Sequence, residues 1–323
     1  MIESPRDAKQ VERCLHNIEQ YAGYKPGFRR AHSRGYGFRG HFTATPEAAE
    51  LTTAEHMQGE PIETVVRLSN GGVDPYAPDR TSDSRGAVVG LAVRFELPSG
   101  GTAEWVSISI PRFVPRVPED FIEFVSASRP GLVRSLPNPL RLVPFLAQHP
   151  SAIPGVAAIA TAPAPDSFAT AEFHGLNAYY AVDSCGARRA FRYRWIPTQQ
   201  RLPLTKEDGR ILPPQYLISE MKIRVGRAPV AWDLFFQMAE PGDPVDDMTK
   251  VWPEDRPQVQ IGQLVVDREH EDQHQVDASM FDPTNVPPGI EISEDPILEF
   301  RSQVYRESQA RRWAEGPPPI KPE

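Results

Sequence analysis

The sequence is poor in the features that mark disulfide-stabilised, membrane-spanning and nucleic-acid-binding proteins. Its 323 residues include two cysteines, Cys14 and Cys185, which by themselves form no zinc site, and a structural disulfide is not expected in a reducing compartment. No apolar run approaches the ~20 residues that span a bilayer, and the N-terminal segment MIESPRDAKQ lacks an apolar signal core. The net charge of −8 argues against nucleic-acid and anionic-membrane partners. We therefore expect a cytoplasmic protein with neither kind of partner.

Proline, in contrast, is abundant, with 35 residues spread along the chain, which favours long loops around a sheet. An amphipathic helix is predicted over residues 6–20 and a short helix over 118–125, with a helical excursion over 130–166. Apolar stretches of strand type recur between turn residues, at 63–70, 83–95, 103–110, 178–182, 189–195, 223–225, 233–238 and 258–266. These patterns predict an antiparallel barrel or sandwich with added helices.

The last predicted helix, Arg301–Arg312, carries polar groups where a buried helix face would be apolar. With Arg301 at zero on a helical wheel, Tyr305 lies at about 40°, Ser308 at about −20° and Arg312 at about 20°. One side of the helix therefore presents a phenol, a hydroxyl and two guanidiniums. A cation one turn from a tyrosine favours phenolate, which is a known axial ligand of haem iron. A surface helix whose tyrosine simply packs is the alternative interpretation of this segment alone.

Two further segments place polar side chains on predicted strands. Arg67 and Ser69 are two residues apart, so both point to one face of a strand and need polar partners there. Residues 28–43 alternate glycine with aromatic residues, as in a strand that other groups approach closely, and they include His32. Arg29 and His32 are three apart, so a regular strand would direct them to opposite faces unless the chain bends.

Several segments, in the same order along the chain, resemble the haem catalase family. Each motif alone is weakly specific, but together they are in register from about residue 25 to residue 313. The segments are Arg29-Arg-Ala-His32-Ser-Arg-Gly35, similar to the distal R-x-x-H-x-x-G motif, Arg67-Leu-Ser69, Asp83-Ser-Arg85-Gly86, Asp247-Met-Thr-Lys-Val-Trp-Pro253, Ile261-Gly-Gln-Leu-Val265, and Phe281-Asp-Pro-Thr-Asn-Val-Pro-Pro-Gly-Ile290 followed by Arg301-x-x-x-Tyr305.

The resemblance implies an α+β fold, the catalase-like antiparallel eight-stranded β-barrel with surrounding helices, and a buried haem b. It also implies one haem-binding domain over residues 1–323, with an N-terminal helix and arm at 1–24 and a disordered-type tail at 316–323. Because the sequence ends soon after the Tyr305 helix, the C-terminal helical segment and the flavodoxin-like domain of long catalases are not expected.

Carried over residue by residue, the resemblance also implies the roles of the site residues. Tyr305 would ligate the haem iron, and Arg301 would hold it as phenolate. His32 would be the distal acid and base, oriented by a hydrogen bond with Ser69. Each haem propionate needs a charge-assisted partner, and the family's pattern assigns this task to Arg29, Arg67 and Arg312.

Two positions depart from the family's pattern. The distal asparagine of catalases falls near Ser109, and a serine is shorter and offers no amide donor to the peroxide. Ala31 precedes His32 where catalases usually carry valine, which would widen the distal pocket. Both features resemble the small catalase-related peroxidases.

We therefore predict a haem peroxidase that reduces hydrogen peroxide or organic hydroperoxides through a ferryl intermediate, with a small organic electron donor and weak residual catalase activity. His32 would carry the proton between the peroxide oxygens, with Ser69 and Ser109 as the other catalytic residues. One alternative is a fatty-acid hydroperoxide isomerase or lyase on the same fold, and another is a haem-binding protein without turnover. We also hypothesise that the protein forms a homodimer.

Overall fold

A closed antiparallel barrel lies at the centre of the fold. The computed structural model describes residues 5–79, 87–130, 137–200, 207 and 211–318, so the predicted motif at 83–86 and the tail beyond 318 lie outside the described residues. Within those ranges the strands are β1 (Gly35–Ala44), β2 (Ile62–Asn70), β3 (Val89–Glu96), β4 (Thr102–Ile108), β5 (Phe173–Val182), β6 (Arg188–Pro197), β7 (Val230–Met238), β8 (Gln258–Glu269) and β9 (Ile290–Ile292).

Hydrogen bonding joins the strands in the order β4-β3-β2-β1-β8-β7-β6-β5, and every pair is antiparallel. The sheet closes because β5 returns to β4, where Ile108 pairs with His174. The short strand β9 adds to β5 outside the closed ring. The predicted eight-stranded catalase-like barrel is confirmed.

The barrel interior is packed with aromatic rings. The Trp105 ring lies 4.6 Å from the Tyr193 ring and 5.7 Å from the rings of Phe95 and Phe236, measured between centroids. Side chains alternate along a strand, so where residues of β2 such as Val66 point into the barrel, the residues between them point to the outer surface. The outer surface of β2 to β4 is therefore available to carry a site.

Helices surround the barrel. The N-terminal helix packs against the helix Pro118–Ala127 and the last helix, Pro296–Glu315. The helices predicted at 6–20 and 118–125 are present, the first extended at both ends and the second at its C-terminal end. In the described ranges they are α1 (Pro5–Ala22), α2 (Pro46–Leu51), α3 (Pro118–Ala127), α4 (Pro139–Gln148), α5 (Ile153–Thr161), α6 (Tyr216–Val225), α7 (Gln273–Ala278) and α8 (Pro296–Glu315).

One predicted strand is wrong. Residues 223–225 form the last turn of α6 rather than a strand. Leu217, Met221 and Val225 are four residues apart and buried, whereas Ile223 is 57% exposed. This is the spacing of a helix that buries one face, and a three-residue window is too short to distinguish it from strand alternation.

By length and hydropathy, no single helix of the described ranges would cross a membrane. The pair formed by α4 and the following segment Pro150–Thr161 meets the same criterion jointly, with a bend of 110° between its two halves.

Candidate functional site

A cleft lies on the outside of the barrel, between β2–β4, helix α8 and the segment that precedes β1. Residues of α1, of α8, of the segment before β1 and of the strands line it. Eight of the lining residues carry polar or charged side chains that the sequence had singled out or that lie beside those residues: Arg29, Arg30, His32, Arg67, Ser69, Tyr305, Ser308 and Arg312.

The chain bends sharply at His32, before β1 begins. His32 has φ of 49°, the one positive value among the described non-glycine residues. Arg67 Nη2 donates to the His32 carbonyl oxygen at 3.0 Å and so holds this left-handed conformation. The bend explains how Arg29 and His32, three residues apart, reach the same cleft.

The His32 ring is held on two sides. Its Nδ1 lies 2.9 Å from Ser69 Oγ, and its edge lies against Gly90, where an added Cβ would be 2.7 Å from Nδ1 and Cε1. Enclosure by the protein, followed by repulsion from three arginines (Arg67, Arg301 and Arg29), lowers the pKa of His32 to about 3. The imidazole is therefore neutral near pH 7, and when Nδ1 donates to Ser69 Oγ, Nε2 is the ring nitrogen that can accept a proton.

On α8, Arg301 makes two hydrogen bonds with the oxygen of Tyr305. Both Nε and Nη2 of Arg301 donate to Tyr305 Oη, each at 3.2 Å. The remaining Nη1 donates to Asn177 Oδ1 at 2.7 Å, and Asn177 Nδ2 donates to Asp295 Oδ2 at 2.9 Å. Burial lowers the pKa of Arg301, but attraction to Tyr305 and two further tyrosines outweighs burial and raises it. Arg301 is thus a fixed cation on the phenol oxygen.

Three buried guanidiniums meet in one corner of the cleft. Burial, followed by repulsion from Arg67 and Arg312, lowers the pKa of Arg29 well below its usual value. Burial, followed by repulsion from Arg67, lowers the pKa of Arg312 to about 10. The Nε atom of each of the three arginines is buried without a hydrogen-bond partner among the described residues. Cations crowded in this way form a site for an anion.

Some of the remaining residues that the sequence singled out line the cleft and one does not. Ala31 and Ser308 line the cleft, but Ser109 does not. The Ser109 hydroxyl accepts a hydrogen bond from Val89 N at 3.0 Å, at the end of the β3–β4 ladder. Its position gives the predicted catalytic role no support.

Sequence reasoning missed three residues of the site. Asn177 and Asp295 orient Arg301, and Asp277 lies 3.7 Å from Arg67. Asp295 had a local signal, because it caps α8 by accepting from Ile297 N at 2.9 Å, just before Pro296. Asn177 and Asp277 had none beyond being polar residues next to apolar ones.

Within the described ranges, no group of three or more histidine, cysteine, aspartate or glutamate residues is placed to hold a metal ion. One phenol oxygen cannot hold iron by itself. A metal at Tyr305 would therefore need a cofactor that supplies the other ligands, as a porphyrin does with its four nitrogens. The role of Tyr305 as iron ligand stays a prediction.

The sequence and the fold both have known relatives. The family model for catalases matches residues 13–317. A catalase-related peroxidase of Mycolicibacterium paratuberculosis is 34% identical over 316 residues, which cover 95% of this chain and 97% of the relative. A catalase-related peroxidase of Synechococcus elongatus is 30% identical over 302 residues, covering 93% of this chain and 88% of the relative.

The structure of catalase A from Saccharomyces cerevisiae matches the fold with a TM-score of 0.77 at 21% identity. The match covers 92% of this chain and 63% of the yeast protein, so the chain spans less than two thirds of that larger catalase. At this identity the likeness concerns the fold alone.

Proposed function

The chain belongs to the catalase family, and we propose that it is a haem-dependent peroxidase that reduces hydrogen peroxide or organic hydroperoxides with electrons from an external donor. One observation carries this proposal: a single cleft is lined by a neutral histidine held by Ser69 and by a tyrosine whose oxygen is held by Arg301. The names of the relatives favour neither the isomerase or lyase alternative nor a haem protein without turnover.

Haem is the cofactor that the family implies, and the cleft residues fit it. The Nε atoms of the three arginines of the corner donate no hydrogen bond among the described residues and are free to donate to anions, and haem carries two propionates. Tyr305 lines the same cleft, and its oxygen would be available to ligate the haem iron. We propose haem b specifically, because the arginine corner and Tyr305 would hold it without a covalent link, and neither Cys14 nor Cys185 lines the cleft for a thioether bond.

When bound, haem supplies the iron at which the peroxide O–O bond is broken. His32 Nε2 takes a proton from the peroxide oxygen nearer the iron and returns it to the departing oxygen, which leaves as water from hydrogen peroxide and as an alcohol from an organic hydroperoxide. This role requires the tautomer in which Nδ1 carries the ring hydrogen and donates a hydrogen bond to Ser69 Oγ, 2.9 Å away. Arg301 stabilises negative charge on the oxygen of Tyr305. Electrons from an external donor complete the reduction.

The cleft composition supports peroxidase action over dismutation. Among the described residues that line it there is no asparagine or glutamine, so no side-chain amide donor stands beside His32. A second hydrogen peroxide therefore has less help in acting as the reductant, and an organic donor takes that place.

Two assays on the purified holoenzyme test the proposal. Oxygen release with hydrogen peroxide alone is compared with peroxide loss in the presence of a phenolic or aromatic amine donor. We expect donor-dependent turnover to dominate, and oxygen release at the rate of a true catalase without donor would contradict the proposal. His32→Ala should keep the Soret band of bound haem and lose turnover.

A homodimer and a cytoplasmic location are further parts of the proposal. Helix α4 buries Phe145 on one side and exposes Leu140 and Val143 on the other, so it is apolar on both sides. Such a helix gains stability when its exposed side is covered, and a second copy of the chain would do so. Sedimentation velocity of the wild type and of Leu140→Glu/Val143→Glu tests this, with a shift from dimer to monomer expected; a wild type that sediments as a monomer contradicts it.

A further inference from the structure

The side chain of Asp277 lies in the arginine corner. Its Oδ1 is 3.7 Å from Arg67 Nε, and the side chain is 19% exposed. Its negative charge raises the pKa of Arg29, Arg67 and Arg312 against the lowering by burial, so it acts on all three guanidiniums. Asp277 is thus the shared counter-charge of the corner.

The backbone of Asp277 serves the same corner independently of its side chain. Its carbonyl oxygen accepts from Arg29 Nη2 at 3.4 Å and from Arg312 Nη1. The neighbouring carbonyls of Val276 and Ser279 also accept from Arg29. The guanidiniums are therefore positioned by backbone oxygens at the end of α7, and the carboxylate mainly adds charge.

The four charged groups that form the corner balance when a dianion is present. Three guanidiniums and one carboxylate leave two positive charges, which equal the charge of two propionates. The next cation on the cleft, Arg30, is already paired with Glu19 and Glu315. Buried charge without compensation is costly, so this balance favours a ligand with two carboxylates.

We propose that Asp277 is a positioning residue of electrostatic kind, a built-in counter-charge that makes the haem-propionate corner neutral and thereby limits haem affinity and lowers the reduction potential of the bound iron. This inference rests on the proposed function. It concerns a residue outside the cleft lining that acts through the arginines.

The sign of both effects follows from Coulomb's law. Without the carboxylate, three guanidiniums face two propionates, and the surplus positive charge attracts the propionates more strongly. The same surplus charge favours the gain of an electron by the iron, so the ferric-to-ferrous potential becomes more positive. With Asp277 present the corner is neutral, which favours the oxidised iron that peroxide chemistry requires.

The experiment compares the holoenzymes of the wild type, Asp277→Asn, Asp277→Glu and Asp255→Asn. Asparagine removes the charge and keeps the backbone contacts, glutamate keeps the charge, and Asp255 is a 79% exposed carboxylate on the loop before β8 that controls for the change in net charge. Haem loss is followed at the Soret band in the presence of excess apomyoglobin as acceptor. The midpoint potential is measured by spectroelectrochemistry, and far-ultraviolet circular dichroism verifies that each variant is folded.

We expect Asp277→Asn to lose haem about tenfold more slowly than the wild type, with a more positive midpoint potential, and the other two variants to match the wild type. Haem loss from Asp277→Asn at the wild-type rate or faster, or an unchanged potential, overturns the inference while the wild type still binds haem. A wild type without a Soret band contradicts the proposed function and the inference with it.

Discussion

Replacing Gly90 by alanine tests whether the orientation of His32 controls turnover. An added Cβ would lie 2.7 Å from Nδ1 and Cε1 of the His32 ring and 3.0 Å from Ser69 Oγ. Carbon atoms in contact are normally about 3.5–4.0 Å apart, so the ring has to move by about 1 Å. Gly90 is not one of the described glycines that have a positive φ, so an alanine can adopt its backbone conformation. The perturbation is therefore confined to the side chains of His32 and Ser69.

The expected loss has two parts. The 2.9 Å contact between His32 Nδ1 and Ser69 Oγ is broken, which costs about 0.5–1.5 kcal/mol of stability. The proton acceptor is also displaced, and a misplacement of about 1 Å lowers a rate by roughly 100-fold. We expect peroxide turnover with a donor to fall about 100-fold, while Tyr305 and the arginine corner still hold haem.

The assay is stopped-flow peroxide consumption with a phenolic donor, together with haem content from the Soret band. Gly72→Ala is the matched control, because the nearest heavy atom to a Cβ at Gly72 is Asp74 O at 4.0 Å. Turnover of Gly90→Ala at the wild-type rate, with full haem content, would refute the idea that the packing of His32 against Gly90 and Ser69 sets its position.

Three further predictions concern Tyr305, His32 and His56. Tyr305→Phe removes the acceptor of two Arg301 hydrogen bonds, and we expect its Soret spectrum to differ from the wild type and its haem to be lost more readily; an identical spectrum means that Tyr305 is not the iron ligand. Because the pKa of His32 is lowered to about 3, the pH profile of kcat/KM should show no fall from His32 protonation between about pH 5 and 8, and a fall centred near the ordinary histidine value of about 6.5 contradicts this. Burial lowers the pKa of His56 to about 3, and neither ring nitrogen has a partner among the described residues. Below about pH 6.5 His56 therefore binds a proton in the unfolded state but not in the folded state, so the free energy of unfolding decreases as the pH is lowered, by about 2–3 kcal/mol from pH 7 to 4.5. Urea unfolding of His56→Phe at both pH values should show a smaller decrease than the wild type. An equal decrease in the two proteins refutes the prediction.

Much of the site could be predicted from the sequence because its parts are local. Arg301 and Tyr305 are one helical turn apart, so helical geometry alone brings them together. Arg67 and Ser69 are two residues apart on a strand, so they share a face whatever the rest of the fold does. Each motif is likewise a short segment whose geometry depends on its own sequence.

Other parts of the site depend on contacts between distant segments. Asn177 reaches Arg301 across 124 residues of sequence, and Asp277 reaches Arg67 across more than 200. Neither residue lies in a motif that would reveal it. Ser109 shows the opposite case, because its place in the sequence suggested a distal role while the β3–β4 ladder turns its hydroxyl towards Val89.

The sequence by itself determined the strand periodicity and the polar face of the last helix, because side-chain direction in a helix or strand follows from its repeat. Only the tertiary structure decided how those residues meet. The bend at His32, the balance of charge around Asp277 and the support of Arg301 by Asn177 arise where the barrel, α7 and α8 pack together. Bends and buried charge pairs are set by these distant contacts, and no local pattern encodes them.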